Sequence, residues 1–360
     1  MSAASGMPVN RIVKVLVVDD SAYVRKMVTH MLSRSPFIDV VGTARDGREA
    51  LALAEETSPD VITCDLNMPE MDGVAFVREQ MSRRPTPVVI ISVASQSGER
   101  VLAALDAGAV DFVQKPTALA SDRLLEVSEE LLEKVKAAAL APMRRVFAGA
   151  GGAVAPAGRA TLAPRGDRTS KGNVDIVVIG ISTGGPQGLK VLMPRLPADL
   201  PVAVAIVLHM PVGYTEMYAQ KLNEVTALSV KEAAEGDEVL PGHVLLAPAG
   251  RHLSFRRVDG RVVAHLDMRP LDTPHRPSVD VLFQSAAETF GARTLAVVMT
   301  GMGADGRQGA AWIKAQGGRV LTEAEESCVV YGMPRSVVEA GLSDASVTLE
   351  NMAVAIVEQL

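Results

Sequence analysis

The sequence predicts an α/β protein built as two doubly wound units, and three observations carry that prediction. Short β-branched runs alternate with helical stretches in both halves, a pattern that gives parallel sheets. The runs stop at acidic, hydroxyl or glycine residues, and the carboxyl edge of a parallel sheet is where ligands collect. Between the halves lies a basic stretch rich in Ala, Gly and Pro, with no apolar period. The 360 residues are 48% hydrophobic and 22% charged, enough for two domains with ample core.

Ile12 to Val18 reads as a buried strand ending in Asp19-Asp20, and Ser21 caps a helix to about Ser33. Val40-Val41-Gly42 is a second strand, and Asp46-Gly47 opens a helix over Arg48 to Glu56. Val61 to Cys64 delivers Asp65 to the sheet edge. Val88 to Ile91 ends at Ser92, and Val110 to Val113 runs into Gln114-Lys115-Pro116. Asp19, Asp20, Asp65, Ser92 and Lys115 thus gather at one edge. Three crowded carboxylates repel unless a divalent cation lies among them, and Mg²⁺ suits carboxylate and carbonyl oxygens. With Mg²⁺ and the Lys115 ammonium neutralising charge, Asp65 can attack a phosphoryl group, and Ser92 can hydrogen-bond the new oxygens. Solvated loop ends would explain one aspartate but not five matched positions.

The segment from Arg11 to about Glu133 resembles a response-regulator receiver domain, which has a flavodoxin-like fold. The resemblance rests on Val17-Val18-Asp19-Asp20-Ser21, on Asp65-Leu66-Asn67-Met68-Pro69-Glu70-Met71-Asp72-Gly73, and on Gly108-Ala109-Val110-Asp111-Phe112-Val113-Gln114-Lys115-Pro116. It implies that Asp65 is the phosphoacceptor, charged by a histidine kinase. It also implies that Asp20, Asp65 and the Asn67 carbonyl hold the metal directly, with Asp19 acting through water. Ser92 and Phe112 occupy the switch positions beside Lys115. Phe112 lacks a hydroxyl, so its inward swing rests on packing alone.

Leu124 to Leu140 has helical periodicity and extends the last receiver helix. Residues 134–172 hold eight Lys/Arg against one Asp and become Ala/Gly/Pro-rich, a flexible tether. The expected division is therefore 11–133, 134–172 and 173–360.

In the second unit Asp175 to Ile179 is a buried strand that stops at Gly180. Ser182 stands inside the turn Gly180-Ile181-Ser182-Thr183-Gly184-Gly185-Pro186, and Pro186 opens a helix over Gln187 to Leu196. Gly180-x-Ser182-x-Gly184 in a strand–turn–helix context fits the nucleophile elbow. Unpaired N–H groups at the helix start favour developing negative charge. A serine that merely caps the helix is the alternative this stretch alone leaves open. Val202 to Leu208 is a second buried strand ending at His209-Met210-Pro211, where a general base belongs. Of the other histidines, His30 lies in the first unit. His243, His252 and His265 lie in a β-excursion over Val239 to His265. His275 lies in an irregular segment able to border the site. Leu295 to Met299 empties into Thr300-Gly301-Met302-Gly303-Ala304-Asp305-Gly306, before a helix over Arg307 to Gln316. Ser182, His209 and Asp305 each end a separate buried strand on one edge. His209 can take the Ser182 proton while Asp305 holds the imidazole tautomer. The backbone N–H groups of Met302 and Thr183 are candidate oxyanion donors. An ordinary Asp305-Gly306 turn is the plainer alternative.

The order Ser, His, Asp departs from the α/β-hydrolase order. Gly180-x-x-x-Gly184-Gly185 is not a dinucleotide fingerprint, and the second strand ends in His209 rather than an acid. From about Val174 onward the chain resembles the catalytic domain of chemotaxis protein-glutamate methylesterases, a doubly wound, mostly parallel α/β esterase domain. The carrying motifs are Gly180 to Pro186, His209-Met210, Pro274-His275-Arg276-Pro277-Ser278-Val279-Asp280, Thr300 to Gly306 and Tyr331-Gly332-Met333-Pro334. The resemblance implies Ser182, His209 and Asp305 as catalytic residues. It implies methylated glutamates on the cytoplasmic helices of chemoreceptors as substrates, with glutamine deamidation in some members and no cofactor for the esterase. It further implies that the unphosphorylated receiver covers the active-site mouth. Ile181 departs from the small alanine usual there, and its side chain is expected to point into the sheet.

Net charge of −6 points to neither nucleic acid nor anionic membrane. Apolar runs such as Val202 to Leu208 are too short for membrane insertion. The first apolar run, Val15 to Val18, ends in two aspartates and is no signal peptide. Cys64 and Cys328 read as free buried thiols. A cytoplasmic protein is expected. Two competing readings are a receiver-controlled binding module that grips an anion at the Ser182 turn, and a general carboxylesterase. Only 3% of residues are aromatic, which disfavours a greasy small-molecule pocket.

Overall fold

The computed structural model describes residues 11–92, 98–115, 121–141 and 174–360. The chain divides into two compact units, Met1–Met143 and Arg144–Leu360. Residues 142–172 of the expected tether lie outside the described residues.

The first unit alternates β1 (Val13–Val18), α1 (Ala22–Leu32), β2 (Ile38–Ala44), α2 (Gly47–Thr57), β3 (Val61–Cys64), α3 (Gly73–Arg83), β4 (Val88–Ser92), α4 (Gly98–Asp106), β5 (Asp111–Gln114) and α5 (Ser121–Ala138). All its strands pair in parallel, in the order β2-β1-β3-β4-β5. The flavodoxin-like switch point falls between β1 and β3, where the order reverses. Ser21 caps α1 by accepting the Val24 N–H, and Asp46 caps α2 by accepting those of Arg48 and Glu49. Residue 134, where the sequence places the start of the tether, lies inside α5. Leu131, Val135 and Ala138 continue one buried stripe, so the helix persists until that stripe ends.

The second unit contains β6 (Ile176–Ile181), α6 (Gly185–Leu192), β7 (Ala203–Leu208), α7 (Thr215–Val225), β8 (Ser229–Glu232), β9 (His243–Leu246), β10 (His252–Val258) and β11 (Arg261–Asp267). It continues with α8 (Val279–Phe290), β12 (Thr294–Val298), α9 (Arg307–Ala315), β13 (Arg319–Glu323), α10 (Met333–Glu339), β14 (Ala345–Val347) and α11 (Leu349–Glu358). Seven parallel strands run β14-β13-β12-β6-β7-β9-β8. β6 and β7 are wholly buried, as a strand covered on both faces must be. The β-excursion is narrower than the sequence suggests. β9 joins the main sheet because Val244, Leu245 and Leu246 are all buried between β7 and β8. Only the antiparallel hairpin β10–β11 stands apart. On one face, Val279, Leu282 and Phe283 of α8 pack with Val178 of β6 and Val298 of β12. That contact fixes the start of α8 against the two central strands.

Ile181 is fully buried, and its side chain lies under the first turn of α6 beside Gly185 and Gly188. Both cysteines are free and buried. Among the described residues no helix is long and apolar enough to cross a membrane.

Glu323 ends β13 with no exposed surface. Its carboxylate accepts the Thr300 N–H at 2.9 Å and the Ser327 hydroxyl at 3.0 Å. Burial, reinforced by the charge of Glu350, outweighs those donors and pushes its pKa up to about 7. The folded chain therefore binds more protons than the unfolded chain between the ordinary carboxyl range and that value. Stability falls as pH rises through this window, and the loss is complete above it. Glu323→Gln keeps one acceptor oxygen, for the Thr300 N–H, and removes the ionisation, so whatever its offset at low pH, its stability relative to the parent should rise by about 3 kcal/mol between about pH 4 and about pH 8. Thermal unfolding of the full chain at both pH values measures this, and an equal difference at both would refute the assignment.

Candidate active site

Parallel pairing brings three strand ends together. β6 lies between β12 and β7, so the loops leaving the carboxyl ends of these strands share one edge. Ser182 comes directly after β6, and its N–H donates to the Thr300 carbonyl beyond β12 at 2.9 Å. His209 comes directly after β7, and its N–H donates to the Ile181 carbonyl at 3.1 Å. The backbone thus ties Ser182 to the loop after β12 and His209 to β6 before their side chains meet.

Those side chains form a relay. His209 Nδ1 lies 3.2 Å from Ser182 Oγ, and His209 Nε2 lies 2.9 Å from Asp305 Oδ2. Asp305 also accepts the Ser278 hydroxyl at 2.9 Å, the Val279 N–H at 2.8 Å and the Asp280 N–H at 2.9 Å. Burial opposes its ionisation, but His209 and the N–H groups of Asp280 and Val279 outweigh it and hold the carboxyl well below its usual range. An ionised Asp305 requires a donor at Nε2, which leaves the Nδ1 lone pair facing the serine.

The turn departs in one respect from a strained elbow. Ser182 is not among the residues with positive φ; the left-handed conformation falls at Gly184, with φ +77°. Gly301 supplies a close approach instead. A Cβ there would lie 2.7 Å from the Ser182 Cβ and 2.4 Å from the Met333 sulfur. Among the described residues, the N–H groups of Thr183 and Met302 have no acceptor.

The remaining histidines separate clearly. His275 stacks on His209, with ring centroids 4.1 Å apart. His252 is buried; its Nδ1 accepts the Ser278 N–H at 3.1 Å, and its Nε2 lies 3.1 Å from the Pro270 carbonyl. Burial pushes its pKa down, which suits the neutral ring this bonding needs. His265 pairs with Glu235, outside the relay.

The first unit gathers Asp19, Asp20 and Asp65, with carboxylate oxygens within 4.8 Å of one another. Lys115 Nζ reaches Asp19 at 2.7 Å and Asp65 at 3.0 Å. Burial raises the Asp19 pKa, with Lys115 opposing it. One ammonium against three carboxylates leaves an excess of negative charge, and oxygen donors in excess charge fit a divalent cation. Asn67 is exposed at the same edge, and its side chain bonds Arg100. Ser92 is wholly buried at the end of β4. Phe112 is buried too, with the Lys134 ammonium 5.5 Å from its ring centre. Asp111 and Glu130 hold Lys134 in place and raise its pKa against the cost of burial.

Sequence reasoning misses the parts that Ser278, Asp280 and His252 play at this site. The available signal is a serine just before an apolar helical run, which marks a helix start. Ser278 makes no side-chain cap on its own helix, and its hydroxyl goes to Asp305 instead.

Residues 177–356 match the family model for CheB methylesterase, and residues 15–127 match that for the response regulator receiver domain. A protein-glutamate methylesterase/protein-glutamine glutaminase of Myxococcus xanthus is 50% identical over 341 residues, 94% of this chain and 96% of that protein. Its counterpart in Symbiobacterium thermophilum is 45% identical over 357 residues, 97% of each chain. The crystal structure of the Thermotoga maritima CheB methylesterase catalytic domain is 42% identical, with a TM-score of 0.51, over 52% of this chain and 99% of that one. With matches this extensive, the chain belongs to the CheB methylesterase family, with a response regulator receiver domain ahead of its esterase domain.

Proposed function

We propose that the second unit hydrolyses γ-methyl esters of glutamate on the cytoplasmic helices of chemoreceptors, yielding glutamate and methanol. The observation that carries this reading is the hydrogen-bonded line Ser182–His209–Asp305. His209 Nδ1 takes the Ser182 proton as Oγ attacks the ester carbonyl. The oxyanion of the tetrahedral intermediate meets the N–H groups of Thr183 and Met302, each typically worth about 3–4 kcal/mol. His209 gives that proton to the departing methoxide as the C–O bond breaks; methanol leaves and the acyl group remains on Ser182 Oγ. A water then gives its proton to His209 as it attacks the acyl carbonyl; the second tetrahedral intermediate collapses as His209 passes that proton to the departing Ser182 Oγ, which frees the glutamate carboxyl and restores the serine. A glutamine side chain passes through the same steps with ammonia leaving. The names of the Myxococcus and Symbiobacterium relatives include both activities.

The first unit receives a phosphoryl group on Asp65 from a histidine kinase and thereby controls turnover. Asp20, Asp65 and the Asn67 carbonyl would hold Mg²⁺, with Asp19 nearby, and the ion would neutralise the phosphoryl oxygens. Lys115 stays charged between Asp19 and Asp65 and adds a fixed positive group there. A phosphoryl group shifts a two-state domain by its differential interaction with the two states. Ser92 and Phe112 are the residues placed to register it.

Turnover of methyl-labelled receptor by the full chain tests both halves. Ser182→Ala should lower methanol release by at least about 10⁴-fold. Release at the parental rate would remove the nucleophile. A phosphonofluoridate should label the parent at Ser182; an unlabelled parent favours a binding module. Asp65→Asn should abolish the rise in turnover that a phosphodonor gives the parent chain, and an undiminished rise would remove the switch.

A further inference from the structure

The starts of α8 and α9 exchange carboxylates. Asp305, just before α9, accepts the Val279 and Asp280 N–H groups at the start of α8. Asp280, in the first turn of α8, points the other way. Its Oδ1 accepts the Gly306 N–H at 2.8 Å and the Gly309 N–H at 2.7 Å. Neither helix is capped by the residue at its own N-cap position; each is capped by the acid of the other.

Glycine makes the crossing possible. A Cβ on Gly309 would lie 2.5 Å from the Phe283 Cβ and 3.0 Å from the Asp280 Cα. A Cβ on Gly306 would lie 2.9 Å from Val279 Cγ1. The two helix starts therefore meet at backbone distance, close enough for short acidic side chains to reach across.

The position of a carboxylate depends on its own partners and on the backbone that carries it. Ser278, Val279 and Asp280 hold the Asp305 carboxylate. Asp280 holds the backbone immediately after Asp305, in a loop where Gly303 and Gly306 both have positive φ. The structure assigns Asp280 as a positioning residue for Asp305: its Oδ1 locks the loop that presents the acid to His209. This inference rests on the esterase reading above.

The lock needs an acceptor at one place rather than a charge. Both N–H groups go to the same oxygen, which still accepts when the other oxygen carries a proton. Burial and the neighbouring Asp305 charge push the Asp280 pKa up. Asparagine keeps that oxygen in place and removes the charge. Glutamate keeps the charge and displaces the oxygen by one methylene.

Steady-state release of labelled methanol from methylated receptor, with full-length Asp280→Asn, Asp280→Glu and Asp280→Ala, tests the assignment. Asp280→Asn should fold and retain kcat within about threefold of the parent. Asp280→Glu and Asp280→Ala should lose about 100-fold in kcat with KM nearly unchanged, the scale of misplacing a catalytic group by about 1 Å. If Asp280→Ala does not fold, the Asn-against-Glu order still decides. Glu at parental kcat overturns the assignment, as does Asn that is unfolded or as slow as Glu. A parent chain that releases no methanol removes the esterase reading, and this inference with it. An active parent with the wrong order of variants removes only the inference.

Discussion

A carboxylate withdrawn from water needs about four hydrogen-bond donors to fill its lone pairs, and Asp305 has four. Ser278 Oγ and the Asp280 N–H reach one oxygen, while the Val279 N–H and His209 Nε2 reach the other. Three of the four donors come from the start of α8, whose apolar face is fixed on β6 and β12. The fourth comes from the strand on the far side of β6. The acid therefore works as a joint between the helical layer and the sheet. It remains ionised despite burial, so the imidazole has one available tautomer, and that tautomer directs a lone pair at Ser182. The ring orientation of His209 and the placement of its proton both descend from this one saturated group.

The first unit uses carboxylates in the opposite way. Asp19, Asp20 and Asp65 crowd one strand edge with a single ammonium between them. Asp305 is full of donors; this cluster lacks positive charge. A saturated acid orients its neighbour and binds nothing further, whereas an undercompensated cluster attracts cations and the phosphoryl group that cations stabilise. Position on the carboxyl edge of a parallel sheet is common to both units. The difference lies in what surrounds each acid: hydroxyl and backbone donors at a helix start in one case, one lysine shared between Asp19 and Asp65 in the other.

The strands and the strand-end residues are legible because a buried parallel strand is a nearly continuous apolar run, and its end is marked wherever a polar residue interrupts it. Ser182, His209 and Asp65 can be located by that rule, whereas Asp305 lies beyond the end of β12, just before α9. Features that depend on two distant segments are not legible. Val244 to Leu246 is short and apolar, and only its neighbours β7 and β8 decide that it belongs to the main sheet. Ser278 has the look of a helix cap and serves a different loop. His275, the rival base in sequence, stacks on His209. The glycine pattern around Ser182 marks a turn without saying which residue takes the left-handed conformation; it is Gly184.

The two candidate oxyanion donors sit on different loops, so their spacing depends on what joins those loops. The join is made of backbone. Ser182 donates to the Thr300 carbonyl, Gly301 donates to the Val330 carbonyl, and Met333 donates back to the Gly301 carbonyl. The Thr300 hydroxyl adds a bond to the Thr183 carbonyl at 3.0 Å. Backbone bonds of this kind have little rotamer freedom to lose when charge develops. Electrostatic stabilisation of an oxyanion is most effective when its donors need no reorganisation at the moment of reaction. The segment from Val330 to Met333 thus matters without contributing a reactive group. It braces the Thr300–Gly301 backbone from behind, just before Met302, while His209 is tied to β6 through the Ile181 carbonyl.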